Sequence, residues 1–172
     1  MSTPWLALLH LMVVESALPT SRDLTEFADR IRRHFDDGCY ACGRQNPYGL
    51  GVDGFRLDGD DLVAEFTPRP EFRGGPEVLH GGIAAAALDE ILAWAGMIEE
   101  QVVIVTATLE VKYRKPVAID GRPITLRARL DERNGRRLKL SGSLDIDGTR
   151  AVTGSGVYVV MHDLGEVLGE PS

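Results

Sequence analysis

The sequence predicts an α+β domain in which one antiparallel sheet curls around a single long helix. Three observations carry that prediction. The run from Leu79 to Gly96 is apolar almost all round, the mark of a helix that is buried rather than laid on a surface. Asp58-Gly59, Asn134-Gly135 and Asp147-Gly148 each separate two runs of alternating or β-branched residues, and such dipeptides supply the positive φ angles of tight hairpins. Ala107, Leu109, Val111 and Tyr113 alternate with Thr108, Glu110, Lys112 and Arg114, the period-two pattern of a strand with one buried and one wet face.

Taken in order, residues 1–36 read as an amino-terminal helical extension. Leu24, Phe27, Ala28 and Ile31 recur at helical spacing, and Arg30, Arg32 and Arg33 lie elsewhere. The run Trp5–Val14 lacks a basic lead and is interrupted by His10, so it reads as a docking helix rather than a signal peptide. Gly38, Gly43, Asn46-Pro47 and Gly49 punctuate a loop over 37–50. Six strands are expected at about 52–57, 61–67, 102–114, 122–133, 136–147 and 149–161, with the helix between the second and third. The main domain is thus 37–161, and the acidic, Gly- and Pro-containing segment 162–172 reads as a flexible tail.

A chain of 172 residues suits one domain with a sizeable core. Its net charge of −7 argues against a general nucleic-acid binder, and a phosphate-bearing ligand would need a local basic patch. Lys112, Arg114 and Lys115 form one such group, and Arg133, Arg136, Arg137 and Lys139 another. No apolar run approaches the ~18–20 residues needed to span a bilayer, so a cytoplasmic protein without a membrane partner is expected. The two cysteines, Cys39 and Cys42, lack the second Cys or His pair of a structural zinc site, and they do not sit at the strand-to-helix junction of a redox dithiol. Reduced loop thiols and no metal are expected.

The chemistry-bearing residues gather around the helix. Asp89 and Glu90 point roughly 100° apart, and a carboxylate in apolar surroundings must be paired, hydrogen-bonded or neutralised. Asp89 suits a general base or nucleophile, or a structural cap on a buried donor. Glu90 suits a second acid or the partner of a basic residue. The glycine-rich loop Arg73–Gly82 runs into the helix start, where free N–H groups and the positive dipole end can stabilise an oxyanion; a tight loop needing only small residues reads the same way. His80 lies nine residues before Asp89, ~13–14 Å along a helix. If both act on one atom, they come from two subunits. No Gly-x-Ser-x-Gly elbow is present, which argues against a serine triad.

Read together, these residues resemble hotdog-fold acyl-CoA thioesterases of the phenylacetate-degradation (PaaI-like) branch, over about Cys39 to Met161. The resemblance rests on Leu79-His80-Gly81-Gly82 followed by Asp89, on Thr106 to Pro116 closing with Tyr113-Arg114-Lys115-Pro116, and on the Cys-x-x-Cys-Gly-x-x-Asn-Pro-x-Gly-Leu run at 39–50. It implies a hotdog sheet, a homodimer joined edge to edge or a dimer of dimers, and hydrolysis of an acyl-CoA with no cofactor beyond the substrate's own CoA. Asp89 then matches the general base or nucleophile, Gly81 the amide polarising the thioester carbonyl, His80 a positioning or turn-shaping residue, and Thr106 a hydroxyl orienting water. Gly82, Gly74, Glu90, Arg114 and Lys115 are expected around the substrate. Family members often carry Asn or Gln where Gly74 stands. By simple alternation Thr106 falls on the wet face of its strand, so only a bulge, twist or strand end turns it to the site. Two other readings stay open: a non-catalytic acyl-CoA or lipid-binding module, and an acyl-thioester dehydratase or hydratase.

Overall fold

A computed structural model describes residues 23–35 and 37–169. The helical reading of 1–22 lies outside the described residues. The elements run α1 (Thr25–His34), β1 (Asp53–Asp58), β2 (Asp61–Phe66), a small hairpin of β3 (Arg73–Gly75) and β4 (Val78–Leu79), α2 (Gly81–Glu100), β5 (Val102–Tyr113), β6 (Ile124–Asn134), β7 (Arg137–Ile146), β8 (Thr149–Asp163) and α3 (Leu164–Leu168).

Six strands form one sheet in the order β1-β2-β6-β7-β8-β5, and every neighbouring pair is antiparallel. Helix α2 packs against β2, β5, β6, β7 and β8. The sheet curled around one helix is the architecture the sequence predicts. Gly59, Gly135 and Gly148 adopt positive φ at their turns, as their Asp-Gly and Asn-Gly pairs require.

The core follows from the apolar helix. Ala87, Leu88, Ile91 and Leu92 of α2 are fully buried against a sheet face carrying Leu126, Leu138, Leu140 and Leu144. Each of these leucine and isoleucine side chains contributes about 1.5–3 kcal/mol of burial. Gly154 of β8 lets the helix come this close, since a Cβ there would sit 2.4 Å from Leu88 Cδ2. By length and composition α2 is apolar enough to cross a bilayer, more than the run length suggested, yet half of that stretch is buried inside the protein.

Two sequence readings need correction. Arg32, placed off the apolar face of α1, is buried, because its guanidinium donates to Val52 O (3.1 Å), Asp53 (3.0 Å) and Asp29 (3.2 Å). The segment read as a flexible tail from residue 162 is, through Gly169, the end of β8 followed by α3. Asp163 caps that helix by accepting from Glu166 N–H, and the buried Leu164 donates its N–H to Gln101 O.

Candidate active site

Asp89 projects from the middle of α2 toward the pairing of β5 with β8. Its Oδ1 accepts from Thr106 Oγ1 at 2.9 Å and from Tyr158 OH at 2.7 Å. Thr106 and Tyr158 are partners across β5 and β8, so two adjacent strands deliver two hydroxyls to one carboxylate oxygen. Oδ2 is committed to neither.

Thr106 reaches Asp89 because β5 is bulged. The register slips between Thr106 and Thr108, leaving Ala107 as an extra residue. Inward-facing positions switch from Val102 and Ile104 before the bulge to Leu109 and Val111 after it. The expected buried face over 107–113 is therefore kept only at Leu109 and Val111, with Ala107 and Tyr113 exposed. Sequence reasoning missed Tyr158. Its only local signal is Gly156 two residues earlier, where a Cβ would lie 2.7 Å from the Tyr158 ring. Burial, and then the Asp89 carboxylate, push the Tyr158 phenol well above its ordinary value and keep it a donor.

The other predicted residues lie at the start of α2. His80 is the N-cap, with Nδ1 accepting from Gly82 N–H at 2.9 Å and its carbonyl accepting from Ile83 and Ala84. The Gly82 amide is thereby engaged within the chain, and the Gly81 N–H is the first-turn donor left open among the described residues. Tyr113 OH donates to Gly81 O at 2.8 Å, tying the end of β5 to the helix start. Gly74 packs on His80, where a Cβ would lie 3.0 Å from His80 Cα, a tight contact that a side chain in that position would relieve by a small shift of the histidine. Arg114 and Lys115 are exposed and line a cleft of about 350 Å³ with Leu79, Gly81, Tyr113 and Val152. Gly81 and Asp89 stand ~12 Å apart along one helix. Thr106 joins Asp89, whereas His80, Gly81, Gly82, Gly74, Arg114 and Lys115 form a second group.

Glu90 belongs to neither group, and among the described residues no basic residue pairs with it. It faces the Cys39–Gly43 loop, where Oε1 accepts from Trp94 Nε1–H at 2.8 Å and both oxygens lie 3.9 Å from Cys39 Sγ. Burial, then the Cys39 charge, push its carboxyl up to about 7, so the desolvated carboxylate is Glu90. The thiols are free: Cys42 is buried and Cys39 exposed. Cys39, Cys42 and Glu90 bring their donor atoms within 4.8 Å of one another, close enough for a metal ion.

The family model of the Thioesterase superfamily matches residues 77–152, the stretch that carries α2, β5 and most of the sheet. Among solved structures the chain is similar to a thioesterase superfamily protein, at 26% identity and TM-score 0.64, covering 70% of this chain and 62% of that one. It is also similar to a thioesterase from Haemophilus influenzae, at 19% identity and TM-score 0.62, over 72% and 87% of the two chains. A putative thioesterase from Ralstonia eutropha, described as phenylacetic acid degradation-related, aligns at 22% identity and TM-score 0.57, over 64% and 86%. The chain thus spans less than two thirds of the first of these relatives. No curated protein matches the sequence. The fold is the hotdog fold of thioesterases.

Proposed function

We propose that the protein is a thioester hydrolase of the Thioesterase superfamily that cleaves acyl-CoA to free acid and CoA, working as a homodimer or a dimer of dimers. The observation that carries the reading is the double hydroxyl clamp on Asp89 Oδ1, next to β5, the edge strand of the sheet, which no other strand pairs on its outer side among the described residues. A second copy joined at that edge supplies what one chain lacks. Within a chain the open Gly81 amide is ~12 Å from Asp89, too far to share a reacting carbonyl, and a partner's amide removes that distance. Val105 and Tyr113, exposed apolar side chains on β5, suit such a seam.

In this reading Thr106 and Tyr158 fix the carboxylate, and Asp89 Oδ2 takes a proton from water. The hydroxide attacks the thioester carbonyl carbon, and the oxyanion is held by the partner's Gly81 N–H. Collapse breaks the C–S bond, and the proton that Asp89 took from water passes to the leaving sulfur, so CoA departs as the thiol and the carboxylate is restored. Direct attack by Asp89 to form an anhydride, later hydrolysed, uses the same geometry. His80 fixes the helix start, and Arg114 and Lys115 face the CoA phosphates at the cleft mouth.

A thiol-release assay over a panel of aromatic, short-chain and medium-chain acyl-CoAs tests this, with light scattering for the oligomer and Asp89→Asn alongside. Turnover by the parent, its loss in the folded variant and a dimer or larger are the expected results. Gly74 in place of a polar residue favours the second reading, a non-catalytic acyl-CoA-binding protein. Stoichiometric binding with no thiol released across the panel selects it.

A further inference from the structure

We propose that Cys39, Cys42 and Glu90 form a binding site for a thiophilic divalent cation, Zn²⁺ by its ligand chemistry, with the fourth coordination position open. The counting of Cys and His along the chain found only two donors. The third comes from α2, 51 residues beyond Cys39, and is a carboxylate.

Four features support the site. The donor atoms already cluster within 4.8 Å, and both Glu90 oxygens lie 3.9 Å from Cys39 Sγ. A tetrahedral zinc ion with bonds of about 2.3 Å to sulfur and 2.0 Å to oxygen holds such ligands roughly 3.5 Å apart, so small side-chain movements close the shell.

The loop is also built as a chelating turn. The backbone amides of Ala41 and Cys42 face the Cys39 sulfur, and Gly43 N–H donates to Cys39 O at 3.0 Å. A Cβ on Gly43 would sit 2.5 Å from Cys39 N, so only glycine closes this turn. Leu50 N–H to Tyr40 O (2.8 Å) and Val52 N–H to Ala41 O (2.9 Å) hold the turn against the rest of the loop.

Glu90 is oriented from behind. The Trp94 indole, buried and tilted against Phe55 at 4.4 Å, donates to Oε1 and leaves Oε2 for an ion. A donor behind a ligating carboxylate is the usual outer-shell arrangement of metal sites.

Finally, Glu90 is met by the Trp94 indole and the Cys39 thiol, and among the described residues no ion pair joins it to a cation. Arg44, two residues beyond Cys42 in the chain, is engaged by Asp29 and Asp53. Two thiolates with a carboxylate point to zinc over Cu(I), which prefers sulfur alone, and over Mg²⁺ or Ca²⁺, which prefer all-oxygen shells.

The test is a Co²⁺ titration of the full chain after reduction and chelator treatment, read by absorbance and followed by Zn²⁺ back-titration. Expected are one equivalent of Co²⁺ per chain, a thiolate-to-cobalt charge-transfer band, intense tetrahedral visible bands, and displacement of both by Zn²⁺. Cys39→Ser should abolish the band, and Glu90→Gln should weaken binding at least tenfold. Trp94→Phe keeps all three ligands and should weaken it several-fold, which keeps the proposal open to refutation if Glu90→Gln does not fold. Absence of the charge-transfer band in the folded parent overturns the site. So does parental affinity in Glu90→Gln, because two thiols would then be binding without the helix. The readout is independent of thioester turnover.

Discussion

Asp89 leaves α2 toward the β5–β8 pairing, where the hydroxyls of Thr106 and Tyr158 hold one of its oxygens. Glu90, the next residue and roughly 100° further round, lies under the Cys39–Gly43 loop with the Trp94 indole on one oxygen and two thiols nearby. Nothing in the two side chains themselves, one methylene apart in length, separates their chemistry. Their partners do. Two hydroxyls on one carboxylate oxygen leave the other free to meet water, the geometry a general base needs. An indole and two thiols surround Glu90 with groups that orient a ligand and share an ion.

The largest effect that sharpens this contrast is on turnover. If Asp89 is the base, Asp89→Asn should lower kcat/KM for an acyl-CoA about 10²–10⁴-fold in the thiol-release assay. Glu90→Gln should cost at least tenfold less. Equal losses would break the distinction.

Tyr158→Phe comes next. It removes one of the two hydrogen bonds to the charged carboxylate, each worth about 1.5–3 kcal/mol, so unfolding stability should fall by about that amount and kcat, measured well below the lowered midpoint, by roughly 10–100-fold. Thr106→Val, at a more exposed hydroxyl, should fall at the lower end. A parental kcat in both would detach the hydroxyl pair from catalysis.

On the other side of the helix the cost should appear as stability. Trp94→Phe strips the donor from a desolvated carboxylate and should lower unfolding stability by about 1–2 kcal/mol in urea titrations. An unchanged midpoint would show that the indole does not hold Glu90.

Asp53 calibrates the pair with the smallest effect. Burial works against its charge, but the Gly54 N–H, Arg32 and Arg44 outweigh it and hold the carboxyl below its ordinary 3.8. A depressed folded value means stabilisation that is present above 3.8 and lost as pH falls through the folded value. Asp53→Asn should therefore be less stable by about 0.5 kcal/mol at pH 7, a figure reduced for solvent exposure, and the gap should close in acid. A gap that persists below pH 2 would assign the loss to packing.

Much of this was legible in the chain because it is local. The Asp-Gly and Asn-Gly turns, the apolar periodicity of α2 and the adjacency of Asp89 and Glu90 are read from a few neighbouring residues. The hairpins and helix lie where those signals put them, within a few residues at their ends. What escaped depends on contacts between distant segments. Tyr158 matters only through its register with Thr106, and that register is set by the slip at Ala107. Glu90 was assigned to substrate or a basic partner because the loop that covers it lies 51 residues away in sequence. Leu164 and Asp163 turned a polar-looking tail into a docked helix by burying one leucine and capping one turn.

The extra residue at Ala107 also sets how β5 can change over evolutionary time. Thr106 and Thr108 already oppose consecutive residues of β8, Tyr158 and Val157, so a one-codon deletion of Ala107 joins two stretches that fit one continuous ladder. It would smooth the kink and leave Leu109, Val111 and Tyr113 on their present sides, whereas one codon added between Thr108 and Tyr113 would turn the positions beyond it over. Lineages can therefore shed a residue at this spot far more cheaply than they can gain one further along.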